Sequence, residues 1–151
     1  MTLDQLKAVA RSTALQFGLD PALVMAVCEQ ESAWEPWAVR YEPAFYTRYI
    51  ESMKLPATEK TMRATSFGLM QCMGQVAREQ GYDAKYLTSL CDPANAIEQG
   101  CRKLRNCIQR ERHEGGSSLA DLHAALLRYN GGGNLSYPDE VLARIPKYRE
   151  G

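Results

Sequence analysis

The sequence predicts an all-α domain, and three observations carry that prediction. Apolar residues recur at three- and four-residue spacing in segment after segment. Between those segments stand caps, prolines and glycines of the kinds that start and stop helices. No segment alternates with period two for long enough to require a sheet, and no internal repeat is present. Together these predict about 7–9 helices in one domain over residues 1–151, long enough to bury a core without staples.

The elements follow in order. Thr2 and Gln5 fit a capping box, and Leu3, Leu6, Ala10, Ala14 and Phe17 keep helical spacing up to Gly18. Asp20-Pro21 offers a cap followed by proline at the first helical position and opens a second helix through Ser32. Pro36, Pro43 and Pro56 break up the next stretch, in which AFYTRYIESM forms a short helix with Phe45, Tyr49 and Met53 on one side. Ser66 is expected to cap a helix through FGLMQCMGQVAREQGY, ending near Gly81. Asp92-Pro93 repeats the cap-plus-proline device for a long helix to about His113, stopped by Gly115-Gly116. Ser118 caps LADLHAALLRY, which ends at NGGGN, and PDEVLARIPKY supplies a last short helix.

Composition excludes several classes. Hydrophobic residues are 45% and charged residues 24%, as in soluble globular proteins. Lys+Arg and Asp+Glu both number 18, so the overall charge makes no case for nucleic acid or an acidic membrane surface. The local gathering of Arg102, Lys103, Arg105, Arg110 and Arg112 reads as a solvated helix face. No stretch approaches the roughly 18 apolar residues of a membrane span, and MTLDQLKAVARST has no signal-peptide core, so synthesis as a soluble cytosolic chain is expected; a monomer is expected as well. The five cysteines are expected to be reduced packing thiols. Cys101, Cys107 and His113 are six residues apart, which turns each about 120° from the last, so they do not converge on a metal. Neither a metal nor a cofactor is expected.

The most informative carboxylates are Glu29 and Glu31. On a helical wheel Leu23, Val24, Val27 and Cys28 span roughly 0° to 140°, Glu31 falls near 80°, and Glu29 falls near 240° on the opposite, wet side. Glu31 thus points at the interior or at a cleft that the interior lines. Burial and the negative end of the helix dipole would both raise its pKa, which suits a general acid near neutral pH. The alternative is a structural glutamate paired with a buried arginine such as Arg40, or one exposed where the helix ends early.

Glu31-Ser32, then GLMQ at Gly68, Leu69, Met70 and Gln71, then YNGG from Tyr129, occur in an order that resembles the catalytic domain of soluble-type lytic transglycosylases. The resemblance runs from about Leu6 to Tyr148, and each tetrapeptide is weak alone. It implies a lysozyme-like fold with a substrate cleft that binds peptidoglycan glycan strands. Glu31 would be the catalytic acid and Ser32 its neighbour at the cleft. Gly68, Leu69, Met70 and Gln71 would line the glycan groove, with Met70 and Gln71 touching sugar. Tyr129 would hydrogen-bond or orient Glu31, and Asn130 would contact substrate. Bottom-up, Leu119, Leu122, Leu126 and Tyr129 share a helix side, so Tyr129 points inward.

The chain departs from the family pattern in three places. Ala96-Ile97 stands where an Asn-Ile pair is common, so Asn95 is left out of the site; Arg128 replaces the usual alanine. The stretch between Glu31 and Gly68 is also longer, with an insertion over residues 40–64 rich in tyrosine. Its aromatic side chains either wall one end of the cleft or form a helical flap on the core.

Glycoside hydrolysis usually takes two carboxylates. TMRATSF, just before GLMQ, holds no acidic residue, and nothing selects among Glu35, Glu42, Glu51, Glu59 and Asp139. One glutamate suffices if the muramic C6 hydroxyl is the nucleophile and a 1,6-anhydro ring closes, the route the resemblance implies. A muramidase hydrolysing the same bond, or an inactive glycan-binding module, is the alternative. The setting implied is a phage endolysin that reaches the periplasmic wall through a membrane pore; a virion component or an exported bacterial protein would look the same.

Overall fold

The computed structural model describes residues 1–114 and 118–150. It is mainly helical, with eight α-helices among the described residues: α1 (Leu3–Gln16), α2 (Pro21–Ser32), α3 (Pro43–Phe45), α4 (Ala57–Arg63), α5 (Gly74–Glu79), α6 (Pro93–Glu111), α7 (Ser118–Asn130) and α8 (Tyr137–Arg149). The all-α class holds. A small antiparallel sheet, β1 (Val39–Tyr41), β2 (Thr65–Phe67) and β3 (Cys72–Met73), is added in that order. A π-helical turn, Tyr46–Ile50, continues α3, and a 3-10 turn, Leu87–Cys91, precedes α6.

The chain divides into two compact units, Met1–Gln30 with Cys101–Gly151, and Glu31–Gly100. In the first, the Thr2–Gln5 capping box opens α1: Gln5 N donates to Thr2 Oγ1 at 3.2 Å and Thr2 N to Gln5 Oε1 at 2.8 Å. Asp20 caps α2 through Oδ1, which accepts from Ala22 N at 2.9 Å, with Pro21 at the first position as expected. Helix α2 has no wet face, because residues 22–28 are all buried. This corrects the wheel for Glu29. Its side chain is 18% exposed and held by Lys147 Nζ at 2.6 Å, Tyr148 Oη at 3.0 Å and Arg144 of α8.

The basic residues gathered over 102–112 are not one solvated face either. The Arg102 and Arg105 guanidinium groups lie 5.2 and 4.8 Å from the centre of the Phe17 ring, while Arg110 and Arg112 are exposed. The Gly115-Gly116 stop expected after α6 lies outside the described residues.

The second unit packs around Phe67, Cys72, Ala77, Leu87, Leu90 and Cys91. The helix expected from Ser66 to Gly81 is a hairpin followed by the short α5. Ser66 caps nothing: it pairs with Arg40 on β1 and Met73 on β3. The apolar run FGLMQCM suits buried strand as well as helix, and partners on β1 decide in favour of strand. The 40–64 insertion contributes most of β1, then α3, the π turn and α4, and Ile50 anchors it with 0% exposure. All five cysteines are buried as thiols outside any disulfide.

Candidate functional site

Glu31 lies in the last turn of α2 and is half-buried. The helix stops because the next two residues, Ala33 (φ +50°) and Trp34 (φ +64°), adopt the left-handed conformation. For residues with a Cβ that is costly, of order 1–2 kcal/mol each, and such strain gathers at functional sites. Ser32 holds the helix end from the other side, its Oγ donating to Leu69 O at 2.9 Å. Glu31-Ser32 and GLMQ, far apart in sequence, are thereby tied together within the second unit.

GLMQ forms the turn between β2 and β3. Gly68 (φ +72°) donates its N–H to Ala38 O at 2.7 Å, and Gln71 (φ +52°) donates its own to Gly68 O at 3.2 Å. The Gln71 side-chain amide bridges the same two carbonyls, Ala38 O at 3.0 Å and Gly68 O at 2.9 Å. Gln71 is thus half-buried, with its Nε2 committed to holding the turn. Leu69 and Met70 are both 0% exposed, so their side chains are core, and the expected contact of Met70 with sugar is corrected. Met70 seats against α6 where Gly100 has no side chain: a Cβ there would lie 2.5 Å from Met70 Cβ.

Tyr129 and Asn130 belong to the first unit, at the end of α7. Tyr129 is buried, at 2% exposure. Lys103 Nζ donates to its carbonyl at 2.8 Å and lies 4.2 Å from its ring centre. Lys103 belongs to the run expected to form a solvated face; the available signal against that is its place one turn before the buried Cys107. Asn130 Oδ1 accepts from Asn134 N at 3.0 Å and shapes the turn after α7. Asn95, left out of the site, donates Nδ2 to Ser89 O at 3.1 Å, and Arg128 is paired with Glu111.

Four of the other acidic candidates have local duties. Glu35 Oε1 accepts from Trp37 N at 3.0 Å, Glu42 pairs with Arg40 at 3.0 Å, and Asp139 stands 3.5 Å from His123. Glu59 is gripped by Arg78 at 2.7 Å and Arg63 at 3.1 Å. The Arg78 hydrogen bond outweighs burial and, with Arg63, holds the Glu59 carboxyl below its ordinary value. Among the described residues no group of three or more His, Cys, Asp or Glu could hold a metal ion, and no helix is long and apolar enough to cross a membrane.

A mainly helical domain with a small sheet and a half-buried glutamate at a helix end is lysozyme-like. The family model described as the Transglycosylase SLT domain matches residues 8–136, and the chain belongs to that family. The family's chemistry is peptidoglycan cleavage of the lytic-transglycosylase type. Neither a curated protein nor a solved structure matches the chain significantly.

Proposed function

We propose that the chain cuts the β-1,4 bond between N-acetylmuramic acid and N-acetylglucosamine and closes a 1,6-anhydro ring, with Glu31 as acid and then base. The supporting observation is the half-buried Glu31 at the end of α2, next to the Ser32–Leu69 hydrogen bond, while Glu35, Glu42 and Glu59 of the same unit have other duties. The Glu31 carboxyl gives its proton to the bridging oxygen as the C1–O bond breaks. The resulting carboxylate takes the proton of the muramic C6 hydroxyl as its oxygen bonds to C1. No water is consumed, and Glu31 returns to its starting protonation state. The turn at residues 68–71 contributes shape and backbone rather than the Leu69 and Met70 side chains. The working place is the cell wall, where this polymer lies.

The test is digestion of purified peptidoglycan followed by mass spectrometry of the muropeptides. Wild-type protein should release fragments lighter than reducing-end fragments by one water, and Glu31→Gln should slow release by about 10²-fold or more. Tyr129→Phe keeps the ring beside Lys103 and removes the hydroxyl to which the family pattern gives a role, so turnover should fall about tenfold. Ordinary reducing ends would make the protein a muramidase. A fully active Glu31→Gln would refute the assignment of Glu31.

A further inference from the structure

The second unit carries an aromatic surface that the catalytic reading leaves unused. Within five residues Trp37, Val39 and Tyr41 are 76%, 57% and 44% exposed. They follow the edge of the sheet, since β1 pairs with β2 alone. The register shows which way its backbone faces. Ala38 O accepts from Gly68 N and Glu42 N donates to Ala64 O, so the even-numbered residues serve the ladder. The N–H and C=O groups of Val39 and Tyr41 therefore face the open edge.

The aromatic surface continues into the insertion. The Tyr41 and Tyr46 ring centres are 6.2 Å apart, and those of Phe45 and Tyr49 are 4.8 Å apart. Tyr49 is 49% exposed, with the Arg48 guanidinium 5.1 Å from its ring centre. Tyr46 and Tyr49 ride on the π turn, whose wide register is marked by Glu51 N donating to Tyr46 O at 2.8 Å. π-Helical turns are rare and gather at functional sites. Large apolar side chains left exposed together mark an interaction surface.

Three observations select the occupant. Aromatic faces beside open backbone donors and acceptors match a sugar polymer, which presents apolar ring faces bordered by hydroxyls. Arg48, exposed beside the Tyr49 ring, suits the carboxylates of peptidoglycan. The surface is also continuous with the GLMQ turn, because Ala38, between Trp37 and Val39, receives both Gly68 N and Gln71 Nε2.

We propose that Trp37, Tyr41 and Tyr49 form an auxiliary platform that holds a peptidoglycan glycan strand beyond the residues that do the chemistry. The proposal rests on the glycan-cleaving reading above and deepens it.

The experiment is co-sedimentation of Glu31→Gln protein with purified insoluble peptidoglycan, with release of muropeptides by wild-type protein measured in parallel. In the Glu31→Gln background, Trp37→Ala and Tyr41→Ala should each weaken binding about tenfold, and Arg48→Ala less. Tyr86→Ala removes an aromatic that is 64% exposed elsewhere on the same unit and should bind as the parent does. Circular dichroism melts of the variants, all at exposed positions, should match the parent. Binding by Trp37→Ala and Tyr41→Ala equal to the parent's refutes the platform, as does a parent that stays in the supernatant while wild type releases muropeptides. If wild type releases none, the catalytic reading fails instead.

Discussion

Gly68→Ala tests the geometry of the GLMQ turn most sharply. Its φ of +72° lies in the left-handed region, where a Cβ costs about 1–2 kcal/mol. The added methyl would stand 2.7 Å from Leu90 O and 3.1 Å from Ala96 Cβ. Leu90 O is backbone in the 3-10 turn, so it cannot rotate aside, and overpacking of this kind adds about 1–3 kcal/mol. Loss of glycine's freedom in the unfolded chain returns about 0.4–1 kcal/mol. The net loss is about 2–4 kcal/mol, a fall in melting temperature of about 5–15 °C for a chain of this size. Gly18→Ala is the matched control, because Gly18 has φ +68° with no atom within 4 Å of the added carbon. It should cost about 1 kcal/mol or less, from the dihedral alone. Thermal melts by circular dichroism measure both. At 25 °C Gly68→Ala should also release muropeptides more slowly, since the displaced turn carries the Leu69 carbonyl that receives Ser32. Equal melting temperatures for the two variants would refute the close packing of Gly68 against Leu90.

Two further predictions concern titratable groups. Glu59 has its folded pKa lowered by Arg78 and Arg63, so its contribution to stability is fully present above the ordinary value of 4.5 and is lost as pH falls through the folded value. Glu59→Gln should cost about 2 kcal/mol at pH 7, and that difference from wild type should shrink on acidification below 4.5; a difference that stays constant down to pH 2 would contradict the pairing. Burial pushes the Cys101 thiol up to about 12 and raises Cys91 and Cys107 as well, so a thiol reagent at pH 8 should leave Cys101 unlabelled in the native protein and label all five cysteines in denaturant. Mass spectrometry of the labelled protein counts the thiols, and rapid native labelling of Cys101 would contradict its burial.

The elements legible in the sequence are those whose signals are local. Helix α1 has its capping box, and α2 and α6 have aspartate followed by proline; each starts where those residues stand. The hairpin was not legible because its cause is not local. FGLMQCM is apolar enough for either state, and the residues that make β2 a strand are Val39, Arg40 and Tyr41 of β1, more than twenty positions away. The same holds at the candidate site. Motif order could nominate Glu31, Ser32 and the GLMQ residues, but it could not show that Leu69 and Met70 are core while Gln71 spends its amide on the turn.

The two glutamates of VMAVCEQES were separated by a wheel that presumed one dry and one wet side, and α2 has only dry sides through residues 22–28. What separates them is their partners. Burial disfavours the Glu29 charge, but Lys147, Arg144 and Tyr148 outweigh it and lower the pKa. A carboxylate clamped by two cations and a phenol is a poor proton donor near neutral pH, because transfer of its proton requires a protonated form that those partners oppose. Glu29 is therefore an anchor between α2 and α8. Glu31 stands two residues further on, where α2 ends in a left-handed turn and Ser32 reaches the GLMQ hairpin. Of the pair, only Glu31 combines partial burial with a place in the Glu-Ser pattern that carries the resemblance, and that combination, rather than the face of a wheel, is the argument for its proposed role.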